Sequence, residues 1–287
     1  MSHAMPLTTK SLDVPDLTAT QQGWAPEDLQ ALETAWRQLE RLTFATRLTG
    51  MIGRKIETAG AFIPARIRRL AGRATAHALQ AAMRAALRSL HGREHHPSSA
   101  RMHRALATAA GAAGGAFGLA SLPVELPLST VLLLRAIADI ARAEGEDLSQ
   151  PEAALACMQV FALGSHSPED DFMDSSYFAM RAFLARSISE ATRFMAATAA
   201  ADEAAPVLMR FLTQIAARFG LVVSQKFAAQ AIPFLGAAGG AAVNYAFMEH
   251  FQTLAQGHFT IRRLERKYGK DLVRESYNSI HLTDKNL

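Results

Sequence analysis

Apolar residues recur along this chain at intervals of three and four, the period of a helix face, and no stretch alternates as a half-buried strand would. A first helix is predicted to begin at APEDL, with Pro26 at its first position, two acids facing the positive end of the helix dipole, and a stripe of Leu29, Leu32, Trp36 and Leu39. A second is predicted over 65–91, where Arg66, Arg69, Arg73, His77, Gln80, Arg84 and Arg88 share one face and alanines fill the other. After the loop GREHHPSS, Ser98 or Ser99 caps a third helix that should break near SLPVELP, because proline cannot continue the hydrogen-bond ladder. A fourth is expected from about Ser129 to about Gly145. The capping box Ser149–Glu152 should start a fifth running through Leu163. Further helices are predicted over 175–199, from Pro206 to near Gly220 with a short one on to Pro233, from about 235 with a break at Gly257 or Phe259, and in two amphipathic pieces ending near Ile280. The pattern predicts an all-α fold, a multi-helix bundle.

Composition supports this, since alanine is abundant and β-branched residues are sparse. Two runs carry no charge, 105–124 and 227–248, and each is long enough in principle to cross a bilayer. The first, however, holds eight alanines and four glycines against five larger apolar side chains, so it gains little from lipid. The string GAAGGA occurs in both runs, at 111–116 and 236–241, and each copy is followed by a G-x-D-L at a similar distance, at Gly145 and Gly269. Small residues allow close helix approach, and Gly111, Gly114, Gly115 and Gly118 in one copy and Gly236, Gly239 and Gly240 in the other predict two central Ala/Gly-rich helices in contact, or an apolar groove between them. The layout expected is a flexible arm over 1–25, a basic helical region over 26–96 packed on a main all-α domain over 97–280, and a tail over 281–287. The opening MSHAMPLTTK lacks the basic start and apolar core of a secretory signal.

Charge sharpens the picture. The net charge is only +4, yet residues 54–104 hold eleven Lys or Arg against two acids. Such a segment favours anionic partners, and Arg66, Arg69, Arg73, Arg84 and Arg88 are candidate ligands of phospholipid head groups. Nucleic acid is not expected, because no stacking aromatics interleave the arginines. Arg135, Asp139, Arg142 and Glu146 alternate in sign on one helix face, either as a surface stripe or as a polar network opposite basic groups of the C-terminal helices.

Candidate chemistry is thin. Glu125, Glu249, His250 and His258 are the residues from which acid–base or metal chemistry would be built, provided that the two GAAGGA helices bring them together. No HExxH, phosphate loop or dinucleotide fingerprint is present, and Ser224 and Lys226 lack the S-x-x-K spacing. One cysteine, Cys157, excludes an internal disulfide framework. No cofactor and no metal are expected.

The blocks VELPLSTVLLLRAIADIARAEGEDL, ALACMQVFALG, ARFGLVVSQKFAAQAIPFLGAAGGAAVNYAFMEHFQ and GHFTIRRLERKYG together resemble the EcsC protein family over roughly residues 100–277. The family is named for a bacterial gene beside those of an ABC transporter, and it brings no catalytic residues to carry over. The expectation is a non-catalytic, peripheral membrane-associated or lipid-binding protein at the cytoplasmic face of a bacterial membrane. A hydrolase using the Glu/His set and an adaptor for a membrane transporter are the alternatives.

Overall fold

The computed structural model describes residues 23–41, 44, 47, 65–91, 122–164, 176–197, 206–230 and 236–285. They form eight α-helices and, among the described residues, no strand: α1 (Pro26–Trp36), α2 (Ala65–His91), α3 (Leu122–Ala143), α4 (Pro151–Leu163), α5 (Ser176–Ala197), α6 (Pro206–Gln230), α7 (Gly236–Tyr268) and α8 (Lys270–Lys285). A π-helical turn, Arg37–Arg41, extends α1. The first GAAGGA, with Gly111, Gly114, Gly115 and Gly118, lies outside the described residues.

The centre is α4, every residue of which from Ala153 to Leu163 is buried. A helix apolar on all sides must be enclosed. Here α2, α3, α7 and α6 each touch the next and close a ring around it, and α5 packs on α4 and α6. Phe161 of α4 meets Phe219 of α6 and Phe251 of α7 at centroid distances of 5.0 and 5.8 Å, and Phe247 and Phe44 continue the cluster. On the far side of α7 lie α1, the π turn and α8. The alanine face of α2 is consumed in this packing: Ala74, Ala78, Ala82 and Ala86 are buried at four-residue spacing with Leu79 and Met83, a ridge that seats against α3 and α6.

Four boundaries differ from the sequence reading, each for a local reason. α3 begins at Leu122 instead of Ser129 and runs through Pro127. Within the described span Pro127 removes one ladder bond, the one that would run to Pro123. The hydroxyls of Ser129 and Thr130 both donate to the Leu126 carbonyl beside it. The capping box does not form: Gln150 is the N-cap, without a side-chain bond, while Ser149 donates to Asp147. α6 passes through Gly220 as one helix to Gln230, because glycine weakens a helix without ending it when both flanks are packed. α7 likewise has no break at Gly257, where the missing side chain admits α1 and the π turn: a Cβ there would stand 2.8 Å from Leu39 Cγ and 3.1 Å from the Ala35 carbonyl.

The G-x-D-L echo has a structural meaning. Gly145 and Gly269 both adopt positive φ, +82° and +88°, one residue or so past the ends of α3 and α7. At Gly145 the N–H groups of Gly145 and Glu146 return to the carbonyls of Arg142 and Ala141, a Schellman cap; at Gly269 one bond runs to Glu265. The two helices pack side by side, and the contacts below show them running parallel.

Gly257→Val should lower unfolding free energy by about 1–3 kcal/mol through overpacking, whereas Gly72→Ala, exposed in α2 with nothing within 4 Å of the new Cβ, should raise it by up to about 1 kcal/mol. Urea denaturation monitored by circular dichroism measures both.

Candidate functional site

The four candidate acid–base residues go to four different partners. Glu125 is buried on α3 and accepts from Lys226 Nζ of α6 at 3.0 Å, with side-chain exposures of 4% and 0%. The ammonium also lies 4.7 Å from the centroid of Phe247. Burial holds the Lys226 pKa below the ordinary lysine value, and Glu125 opposes that shift. Glu249 faces Arg47 at 3.1 Å near the surface. His250 is buried against Phe44 and Phe251, and its Nε2 donates to the Gly164 carbonyl at 3.3 Å. His258, two turns along α7, meets the hydroxyl of Tyr177 through Nδ1 at 3.0 Å. Among the described residues, no group of three or more His, Cys, Asp or Glu side chains is arranged to hold a metal ion.

Tyr177 fixes the tautomer of His258. Burial pushes the phenol pKa up to about 12, so its proton is present. Arg181 Nη1 donates to the phenol oxygen at 3.3 Å, which leaves the O–H to donate to Nδ1 and places the imidazole proton on Nε2. Nε2 is buried without a hydrogen bond among the described residues. Burial, with Arg181 and Arg262 nearby, holds His258 well below the ordinary histidine pKa, and the ring is neutral. Glu40 of the π turn completes this region, accepting from Tyr277 Oη at 2.9 Å and from the Tyr177 N–H at the start of α5 at 3.2 Å.

A denser set of ion pairs lies at the C-terminal end of α7. Arg262 bonds Glu146 through Nε and Nη2 at 2.8 and 3.1 Å and reaches Glu152 at 3.5 Å. Arg263 joins Glu144 at 2.8 Å and Asp28 at 2.9 Å, Arg266 pairs with Glu146, and Lys267 meets Asp28 at 2.6 Å. Glu265, on the other side, takes a bidentate pair from Arg181 at 2.7 and 2.9 Å. Lys267 and Arg263, bonding its carboxylate, hold Asp28 down to about 2. The predicted ladder is thus divided: Glu146 joins this network, Asp139 pairs with Arg142 at 2.9 Å at the surface, and Arg135 is exposed. Glu125 near Phe247 and Glu144 and Glu146 near Arg262–Arg266 set α3 and α7 parallel.

On the opposite side, Arg69, Arg73 and Arg84 of α2 are exposed, as is His77. The side chains of Arg66 and Arg88 lie outside the described residues. Of the second glycine string, Gly240 is buried and Gly239 half-buried. The sequence reading missed Lys226 as the partner of Glu125. Its signal was position: it is the single charge between Arg218 and Glu249.

Compared with protein families, the model described as the EcsC protein family matches residues 27–264, so the likeness begins in α1 and takes in the basic helix. No curated protein and no solved structure matches the chain.

Removing one member of the buried pair strands the other charge. Lys226→Met or Glu125→Leu should each cost about 3–5 kcal/mol, and the double substitution should recover most of it; a double-mutant cycle in urea measures the coupling. His258 makes the fold sensitive to pH. Because its folded pKa is depressed, its contribution is complete above pH 6.5 and is lost as the pH falls below, by up to about 1.4 kcal/mol per pH unit until the folded pKa is reached. His258→Gln should flatten that part of the stability profile between pH 6.5 and 5.

Proposed function

The chain belongs to the EcsC protein family, and from that premise we propose that it is a non-catalytic peripheral protein that holds anionic lipid at the cytoplasmic face of a membrane through the arginine face of α2. One observation carries the reading. α2 contains six arginines and no acid, its alanine face is buried against α3 and α6, and Arg69, Arg73 and Arg84 are exposed on the other. With the apolar face occupied, α2 cannot lie in the interface as a free amphipathic helix; it meets the surface by charge. Each basic side chain near an anionic bilayer contributes about 1 kcal/mol, so several acting together give useful binding that salt weakens. The non-catalytic part of the reading is supported by Glu125, Glu249, His250 and His258, each of which is engaged with a different partner.

Flotation with protein-free vesicles tests this and separates lipid from a protein partner. Phosphatidylcholine vesicles containing phosphatidylglycerol should carry the protein and pure phosphatidylcholine should not. Arg69→Gln, Arg73→Gln and Arg84→Gln should each weaken binding about fivefold. Absence of binding to both vesicle types overturns the proposal.

A further inference from the structure

The exposed face of α2 has a gap in its row of arginines. Arg69 and Arg73 lie in the first half of the helix and Arg84 in the second, and the residues between Arg73 and Arg84 include no lysine, arginine or acid. At 1.5 Å per residue the gap is about 16 Å long. Exposed charges that far apart are largely screened from one another at physiological ionic strength, where the Debye length is about 8 Å. The row is therefore two patches.

His77 stands in the gap. It is exposed, four residues after Arg73 and seven before Arg84, and both spacings return it to the arginine face. Along the axis it lies about 6 Å from Arg73 and about 10 Å from Arg84. Gln80, half-buried, is the other polar residue on the same face there, and it carries no charge.

The surroundings of His77 include no carboxylate left over to neutralise it. α2 itself has six arginines and no acid. Of the helices packed on it, α6 brings Arg210, Arg218 and Lys226, α4 brings Glu152, and α3 brings Glu125, Arg135, Asp139 and Arg142. Each acid of that set is engaged elsewhere, Glu125 with Lys226, Asp139 with Arg142 and Glu152 with Arg262. A positive charge at position 77 thus joins a face whose counter-ions must come from outside the described fold.

Histidine is the side chain whose ordinary charge change falls between pH 5 and 8. We infer that His77 makes the hold of α2 on anionic phospholipid depend on pH: the neutral ring leaves two patches of arginine, and the imidazolium joins them into one row. The inference rests on the lipid-binding reading above and adds the regulation of that same face. A bilayer rich in anionic lipid gathers protons at its surface as it gathers any cation. Contact and protonation therefore favour each other, and the coupling is reciprocal.

Partitioning of the full chain onto phosphatidylcholine vesicles containing phosphatidylglycerol, at pH 7.5 and 6.0, tests this on the native protein, His77→Gln and His77→Arg. Both substitutions fall on an exposed side chain. The ratio of the two affinities isolates position 77, because every other histidine is common to the three proteins. The affinity at pH 6.0 relative to pH 7.5 should be about threefold greater in the native protein than in either variant. At pH 7.5 His77→Arg should bind about fivefold more tightly than His77→Gln. Flotation of all three proteins with equal pH ratios, or equal binding of the two variants at pH 7.5, overturns the inference and leaves the α2 reading standing. Absence of flotation at both pH values removes both.

Discussion

The row of charges at the end of α7 is the constraint on which the remaining architecture depends. Arg262, Arg263, Arg266 and Lys267 hold Asp28 of α1 and Glu144, Glu146 and Glu152 around the α3–α4 turn, and Glu265 holds Arg181 of α5. One helical stretch therefore fastens four other elements. Several members of the set are shielded from water, Glu146, Glu265 and Asp28 above all, so the pairs are worth more than isolated surface bridges. Tyr268, stacked on Trp24 at 4.4 Å and donating to Asp28 at 2.9 Å, closes the start of α1 over the same cluster. While these acids gather around α7, α2 and α6 carry none and α5 carries only Glu190.

The Glu125–Lys226 pair does for the other pole what this cluster does for the first. Two charges in an apolar interior gain little net stability over a hydrophobic pair, since desolvation offsets their attraction. What they add is register. A lysine with a single carboxylate to meet, lying over Phe247, fixes the end of α6 against the start of α3 and the first half of α7. The two ends of α3 are thereby both tied to α7, at Phe247 and at Arg262–Arg266, which holds the two helices parallel. That parallel pair is also the pair ending in G-x-D-L, each closed by a left-handed glycine.

Much of this was legible before any coordinates. The limits of α2 follow from the arginine spacing and Pro64, and α1 from Pro26 with its acidic first turn. The echo of Gly145 and Gly269 follows from the string match. What escaped shares a physical cause: tertiary packing overrode a local signal. Gly220 and Gly257 read as helix ends by propensity, yet one is carried by packed flanks and the other is a contact point for Leu39. Pro127 reads as a break, yet it sits so near the start of α3 that it removes one bond. Ser149 reads as a cap, yet Asp147 is a nearer acceptor. The pairing of Glu125 with Lys226 spans 101 positions, and no periodicity conveys such a distance. Glu249, His250 and His258 share a helix and still meet separate partners, because Glu249 and His250 stand about 100° apart around it and His258 lies about 12 Å farther along its axis.

Crossing a bilayer would make demands on α6 that its place in the fold opposes. Among the described residues it is the one helix long and apolar enough to span, by length and composition, and 39% of its most apolar stretch is buried in the fold. To cross, it would have to carry Arg218 near its midpoint into hydrocarbon, at roughly 2.5–3.5 kcal/mol on insertion scales. It would also take Phe211, Ile215, Phe219, Val223 and Phe227 out of the core and leave the faces they cover on α2, α4 and α5 without packing. Lys226 would lose its only carboxylate partner among the described side chains. Leaving α6 in place costs none of this, and it still offers Leu221 and Arg210 at the surface. The same residues that make α6 look like a span are the ones that bind it to α4 and its other neighbours.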